Sequence, residues 1–138
     1  MRRDRNDLKW KAVKLRVHKR DKNRCGFLSL CTMKEDLLLR ALAPSSMLSR
    51  IDCSHVFPVG SFRHMTYMEE NIVLLNRWSH HNLDDCLHPV TGKAITREER
   101  DDFWKRIVGV ERYLRLEEIS KRNTNVDYEE GEKDGTNA

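Results

Sequence analysis

The chain has 138 residues, enough for one domain with a modest core. Hydrophobic residues make up 38% and charged ones 35%. No apolar run approaches the ~20 residues of a membrane-spanning helix, so a polar, soluble protein with no membrane partner is expected. The net charge of +4 is unevenly spread: residues 1–24 carry +8, residues 25–122 balance to zero and residues 123–138 carry −4. The start, MRRDRNDLKW, is basic with no apolar stretch after it, so no signal peptide is read and a cytoplasmic location follows. Among reduced thiols the four cysteines are not expected to form disulfides, which leaves metal binding or burial.

Residues 6–22 are read as a basic helix with Leu8, Ala12 and Leu15 inward and Trp10, Val13 and Val17 widening the apolar side. DKNRCG reads as a turn into a short strand or knuckle, 34–42 as a short helix and APSSMLSR as a loop. RIDCSHVF reads as a strand ending at Pro58, and VGSFRHMTYM as a loop or second strand. Residues 72–75 are strand-like and lead into a helix starting near Asn76 or Ser79. TREERDDFWKRIVG is the clearest helix: Thr96 caps it, Glu99 completes a capping box, Gly109 follows its end, and Phe103, Trp104, Ile107 and Val108 form the buried stripe. A second C-terminal helix is expected to turn Val110, Tyr113, Leu114 and Ile119 inward, and the acidic tail 123–138 is expected to be disordered.

The residues that bear chemistry follow the order His55, Asn71, His80, with an apolar strand-like stretch just after the Asn. Together with CSHVF, GSFRH, TY, EEN, RWSHH, the RDKNRC entry and the later GVERYLRL, this pattern resembles HNH endonucleases, in particular a phage subgroup that includes recombination-associated enzymes. The likeness runs over roughly residues 18–118. It implies an α+β fold: a ββα-metal core near 51–86, with the basic N-terminal helix and two C-terminal helices around it, in a single nuclease domain over 1–122. It implies hydrolysis of DNA phosphodiester bonds with one divalent ion, Mg²⁺ or Mn²⁺ or else Zn²⁺ or Ni²⁺. His55 would activate water, Asn71 would aim His55 by hydrogen bonding, and His80 would hold the ion with Asp52 or Asp84. If phage-encoded, the protein would act in the host cytoplasm.

The sequence departs from that pattern in three places. Ser54 stands where many such enzymes put Asp or His before the base, so that either Asp52 substitutes through a bend or water fills the gap. Asn76 and Ser79 stand where many relatives carry a Cys-x-x-Cys pair. His80 and Asp84, four apart, share a helix face, whereas His81 would point elsewhere. Cys25, Cys31 and Cys53, with Cys86, His88 or His18 as a fourth ligand, could hold a structural zinc; the plainer reading is small buried hydrophobes. Arg63, Arg77, Lys14 and Arg20 are the candidates for phosphate contact, with His64 in the loop beside them. Trp78, Phe103 and Trp104 are read as core. The partner would be duplex or branched DNA, with a homodimer or a phage protein partner also open. The competing reading is an inactive HNH-derived DNA-binding module, or an accessory subunit of a phage packaging or recombination complex.

Overall fold

The structure is a computed structural model, and residues 7–122 are described here. The expected acidic tail 123–138 and the first six residues of the basic block lie outside the described residues. Among the described residues the chain is mixed α+β, with six α-helices and one two-stranded antiparallel sheet. No helix among the described residues is long and apolar enough to cross a membrane.

Helix α1 spans Asp7–Arg20, with Asp7 in its first turn and His18, Lys19 and Arg20 in its last, signs that favour the helix dipole. Lys22 and Asn23 then take left-handed conformations, with φ of 55° and 57°, and end it. Its inward stripe differs from expectation. Val13 and Val17 are fully buried, while Leu8 and Leu15 are 78% and 72% exposed. The helix carries two apolar stripes, and the sheet receives the one set by Val13 and Val17.

The knuckle region holds a 3₁₀ turn, Leu28–Leu30, and no strand. Gly26 nevertheless lies tight against the sheet: its N–H donates to the Leu74 carbonyl at 2.7 Å, and a Cβ there would meet Val73 at 3.1 Å. Helix α2, Met33–Leu42, starts with a capping box between Thr32 and Glu35. The segment expected to be a loop contains a short helix, α3, Ser45–Leu48, entered through Pro44.

Strand β1, Ile51–His55, pairs with β2, Ile72–Asn76, in a regular ladder from Ile51 opposite Asn76 to His55 opposite Ile72. All five β2 residues are buried, because both of its faces are covered. Ile72 and Leu74 pack with Val13, Val17 and Tyr67 on the α1 side. Val73 and Leu75 join the larger core with Phe27, Leu39, Leu83 and Trp104. Between the strands run two 3₁₀ turns, Arg63–Met65 and Glu69–Asn71, so the stretch 59–68 is loop and not a further strand.

Helix α4, Arg77–Asp84, follows β2 directly, with the Asn76 side chain capping it through Ser79 N. Helix α5, Arg97–Val108, has the expected Thr96–Glu99 capping box, and α6, Val110–Ser120, follows across Gly109 at φ 93°. Trp104 is buried and Phe103, Ile107 and Val108 pack against the core. On α6 the inward residues are Tyr113 and Leu116; Val110 and Leu114, expected inward, are about half exposed at 55% and 49%.

Candidate active site

β1 ends on His55, and its imidazole is fixed twice. Nε2 lies 2.9 Å from the Thr66 carbonyl, which can only accept, so Nε2 carries the hydrogen and the lone pair of the neutral ring is on Nδ1. Trp10 of α1 stacks on the ring, with centroids 5.4 Å apart and planes at 15°. The basic helix therefore reaches the site through an aromatic side chain.

Asn71 is fully buried at the C-terminal end of the second 3₁₀ turn. Its Oδ1 accepts from Phe57 N at 2.8 Å, and its Nδ2 donates to the carbonyls of Phe57 (3.0 Å) and Met65 (3.3 Å). Its own carbonyl accepts from Val56 N at 2.8 Å. The Asn thus bridges the 57–71 loop. The bonds of its side chain go to the backbone of Phe57, two residues after His55, and of Met65, just before Thr66, and not to the imidazole.

The same segment is held from outside by two guanidinium groups. Arg20 donates to the carbonyls of Glu69 (2.8 Å) and Ile72 (2.5 Å) while pairing with Asp21, and Arg112 donates to those of Glu70 (2.8 Å) and Ile72 (3.0 Å). Arg20, a phosphate candidate by sequence, sits here as a backbone clamp. Lys14 lies over the Trp10 ring, 5.6 Å from its centroid. His64 donates to the Ile119 carbonyl at 3.0 Å and so ties the loop to α6. Arg63 is exposed in the first of the two turns.

On α4, His80 stands between two carboxylates. Nδ1 is 3.0 Å from Asp52 Oδ2, and Nε2 is 3.2 Å from Asp84 Oδ2. Burial opposes the imidazolium, but the hydrogen bonds to Asp84 and Asp52 outweigh it and raise the pKa of His80 above its ordinary value. Burial likewise favours neutral Asp52, yet Arg77 and His80 hold its carboxyl below the usual range. Arg77 grips Asp52 with Nε at 3.1 Å and Nη2 at 2.9 Å, so this phosphate candidate turns its fork onto a carboxylate. Asp52 reaches His80 from a regular strand, without a bend.

Ligand atoms of Asp52, His80 and His81 all lie within 4.8 Å of one another. Two imidazoles and a carboxylate are a donor set that suits a divalent metal ion. His81 is the surprise: it is exposed, as expected for a surface residue, yet its ring lies 5.2 Å from that of His80 and joins the set. Asp84, expected as a ligand, enters through His80. Ser54 is fully buried opposite Val73, and its Oγ has no hydrogen-bond partner among the described residues.

Among the described residues no such group of three or more ligands includes a cysteine. Cys25 and Cys31 belong to the larger core cluster and Cys53 packs against the other. Burial pushes the thiols of Cys31 and Cys53 up to about 11. Cys25 Sγ accepts from Leu28 N (3.3 Å), Asn76 N (3.1 Å) and Asn76 Nδ2 (3.4 Å), while Asn76 Nδ2 also donates to Ser79 Oγ (3.1 Å), which donates to the Pro89 carbonyl (2.9 Å). Asn76 and Ser79 thereby join the entry of α4 to Cys25 by hydrogen bonds.

A cavity of about 470 Å³ is lined by Cys53, His55, Pro58, His80, Asp84 and Arg100, among others. The sequence reading did not single out Arg100, Thr66 or the Trp10 stack. Thr66 acts through its backbone and Arg100 arrives from a distant helix, so neither leaves a local signal. Trp10 leaves one only in hindsight, as the aromatic on the buried side of a basic helix. No family model, curated protein or solved structure matches this chain.

Proposed function

We propose that the protein is a metal-dependent endonuclease that hydrolyses DNA phosphodiester bonds, with strands 51–55 and 72–76 and helix 77–84 as a ββα-metal core of the HNH kind. The observation that carries this reading is His55, with its lone pair on Nδ1, lining one cavity with His80, whose neighbours Asp52 and His81 complete a set of metal ligands. Nδ1 of His55 takes the proton from the attacking water. Thr66 and Trp10 hold the plane of the ring, and Asn71 holds the loop that brings Thr66 there. Asp52, His80 and His81 would hold the cation, with Asp84 and Arg77 orienting His80 and Asp52. When bound, a divalent ion supplies a Lewis acid that offsets the charge gathering on the phosphate oxygens. Two imidazoles beside one carboxylate favour Mn²⁺, Ni²⁺ or Zn²⁺ over Mg²⁺, which prefers oxygen.

Plasmid nicking by wild type and His55→Ala, in each of these four ions and in EDTA, tests the reading. Ion-dependent nicking that His55→Ala abolishes supports it. Salt-sensitive DNA binding without nicking in any ion points instead to a non-catalytic DNA-binding module. That second reading is favoured by Ser54, whose buried hydroxyl offers no ligand to the cavity.

A further inference from the structure

We infer that Arg100 is the anchor for the substrate phosphate: the cavity seats a phosphodiester anion against its guanidinium, beside His55. The inference rests on reading the cavity as a phosphodiesterase site. Among the described residues Arg100 is the only Arg or Lys that lines it. Its one side-chain hydrogen bond there runs from Nη1 to the carbonyl of Leu83, itself a wall residue, at 3.3 Å. No carboxylate among the described residues lies within ion-pair distance of it. Three of the four cations proposed from sequence are engaged differently, Arg77 with Asp52, Arg20 with Asp21 and two carbonyls, Lys14 with the Trp10 ring, and the fourth, Arg63, does not line the cavity.

Anchoring one Nη on a carbonyl has a geometric result. The Nε–Nη2 edge of the guanidinium remains, with two parallel N–H donors spaced for two oxygens of one phosphate. The Leu83 bond also limits the rotamers of a long side chain, so less freedom is lost when the anion binds. The need for a cation is electrostatic. Asp52 and Asp84 flank His80, and a phosphodiester entering beside two carboxylates is repelled unless positive charge faces it. Arg100 supplies that charge from α5, in the wall of the cavity that His55 also lines.

Binding of a fluorescent 20-base-pair duplex, measured in EDTA at several salt concentrations, tests this in His55→Ala and in His55→Ala/Arg100→Gln. Loss of one phosphate contact lowers the slope of log K against log salt by about 0.9. Gln retains an N–H for the Leu83 carbonyl, and Arg100→Lys retains the charge without the fork. The expected result is a shallower slope with Gln, an unchanged slope with Lys, and nicking by either single variant reduced tenfold or more at saturating DNA. An unchanged slope with Gln overturns the inference, as does a loss of slope with Lys equal to that with Gln, or an absence of DNA binding by the parent. If the parent binds DNA but the wild type nicks nothing in any ion, the nuclease reading falls while the slopes still decide whether Arg100 meets phosphate.

Discussion

Replacing Asn71 with Ala tests the loop that carries Thr66 to His55. The side chain is fully buried and satisfies three backbone groups, Phe57 N–H, Phe57 C=O and Met65 C=O. Each buried group left without a partner costs about 1–3 kcal/mol. The three costs do not add, because they share one site. The space left by the amide can also admit a water that satisfies two of the groups. The net loss should then be about 2–4 kcal/mol, a large part of the total stability of ~5–15 kcal/mol typical of such a domain. Urea unfolding in EDTA measures it. Asn71→Asp should do no better than Ala near neutral pH, because a carboxylate oxygen would face the two carbonyls that Nδ2 now serves. A loss below about 1 kcal/mol with Ala, or a milder loss with Asp than with Ala, would refute the claim that this amide holds the loop. Under the nuclease reading, nicking should also fall with Ala under conditions where the protein remains folded, since the Thr66 carbonyl that fixes His55 lies in the same loop.

His81→Ala should weaken Mn²⁺ or Zn²⁺ binding about tenfold or more in calorimetric titration, and unchanged affinity would reduce the ligand set to Asp52 and His80. In EDTA the raised pKa of His80 contributes stability that is fully present below its ordinary value of 6.5 and is lost as pH rises through the raised value. The melting temperature should therefore carry a component that declines above pH 6.5, and His80→Gln should remove it; a wild-type profile with the same slope as the variant would refute the two-carboxylate cradle. Trp10→Leu should lower nicking about tenfold and Trp10→Phe should restore most of it, because an aromatic pair is worth about 0.5–1.5 kcal/mol. Equal rates for Leu and Phe would mean that the stack does not hold His55.

Elements set by local chemistry were legible in the sequence. Helix α5 announces itself through Thr96, Glu99 and Gly109, because a capping box and a terminal glycine act over a few residues. β1 and β2 were legible for a similar reason: the apolar run ends at Asn76, which caps the next helix. The phase of α1 was not. Leu8, Ala12 and Leu15 make as good a stripe as Trp10, Val13 and Val17, and only the sheet face that receives the helix decides between them. On α6 the same ambiguity let Leu114 stand for Leu116. In the site, the order His55, Asn71, His80 was visible, and these residues do lie on the strand end, the loop closure and the following helix. The place of His81 was misjudged because spacing on an ideal helix assigns it another face. A flexible imidazole one residue from His80 can still reach the ligand set. The clamp by Arg20 and Arg112 was invisible because its acceptors are backbone carbonyls brought close by tertiary folding.

Under the nuclease reading, the chain of contacts from Arg77 through Asp52 and His80 to Asp84 would govern how the site takes up a cation. Both nitrogens of His80 face carboxylates, so an incoming ion must take one of them and release a proton. The competing bonds are partly exposed, and ion pairs of that kind are worth about 0–1 kcal/mol each. A divalent ion held by Asp52, His80 and His81 would have to outweigh those pairs and the proton released. Arg77 need not leave during that exchange. Its two donors act on Asp52 and turn that carboxylate toward the helix, which is the work of an outer residue that orients a ligand. On this argument Arg77→Lys, which retains the charge but loses the fork, should weaken cation binding more than it changes the salt dependence of DNA binding. Calorimetric titration of the variant with Mn²⁺, beside its salt slope, separates the two roles. A changed slope with unchanged cation affinity would return Arg77 to the phosphate and leave Asp52 to be oriented by His80 alone.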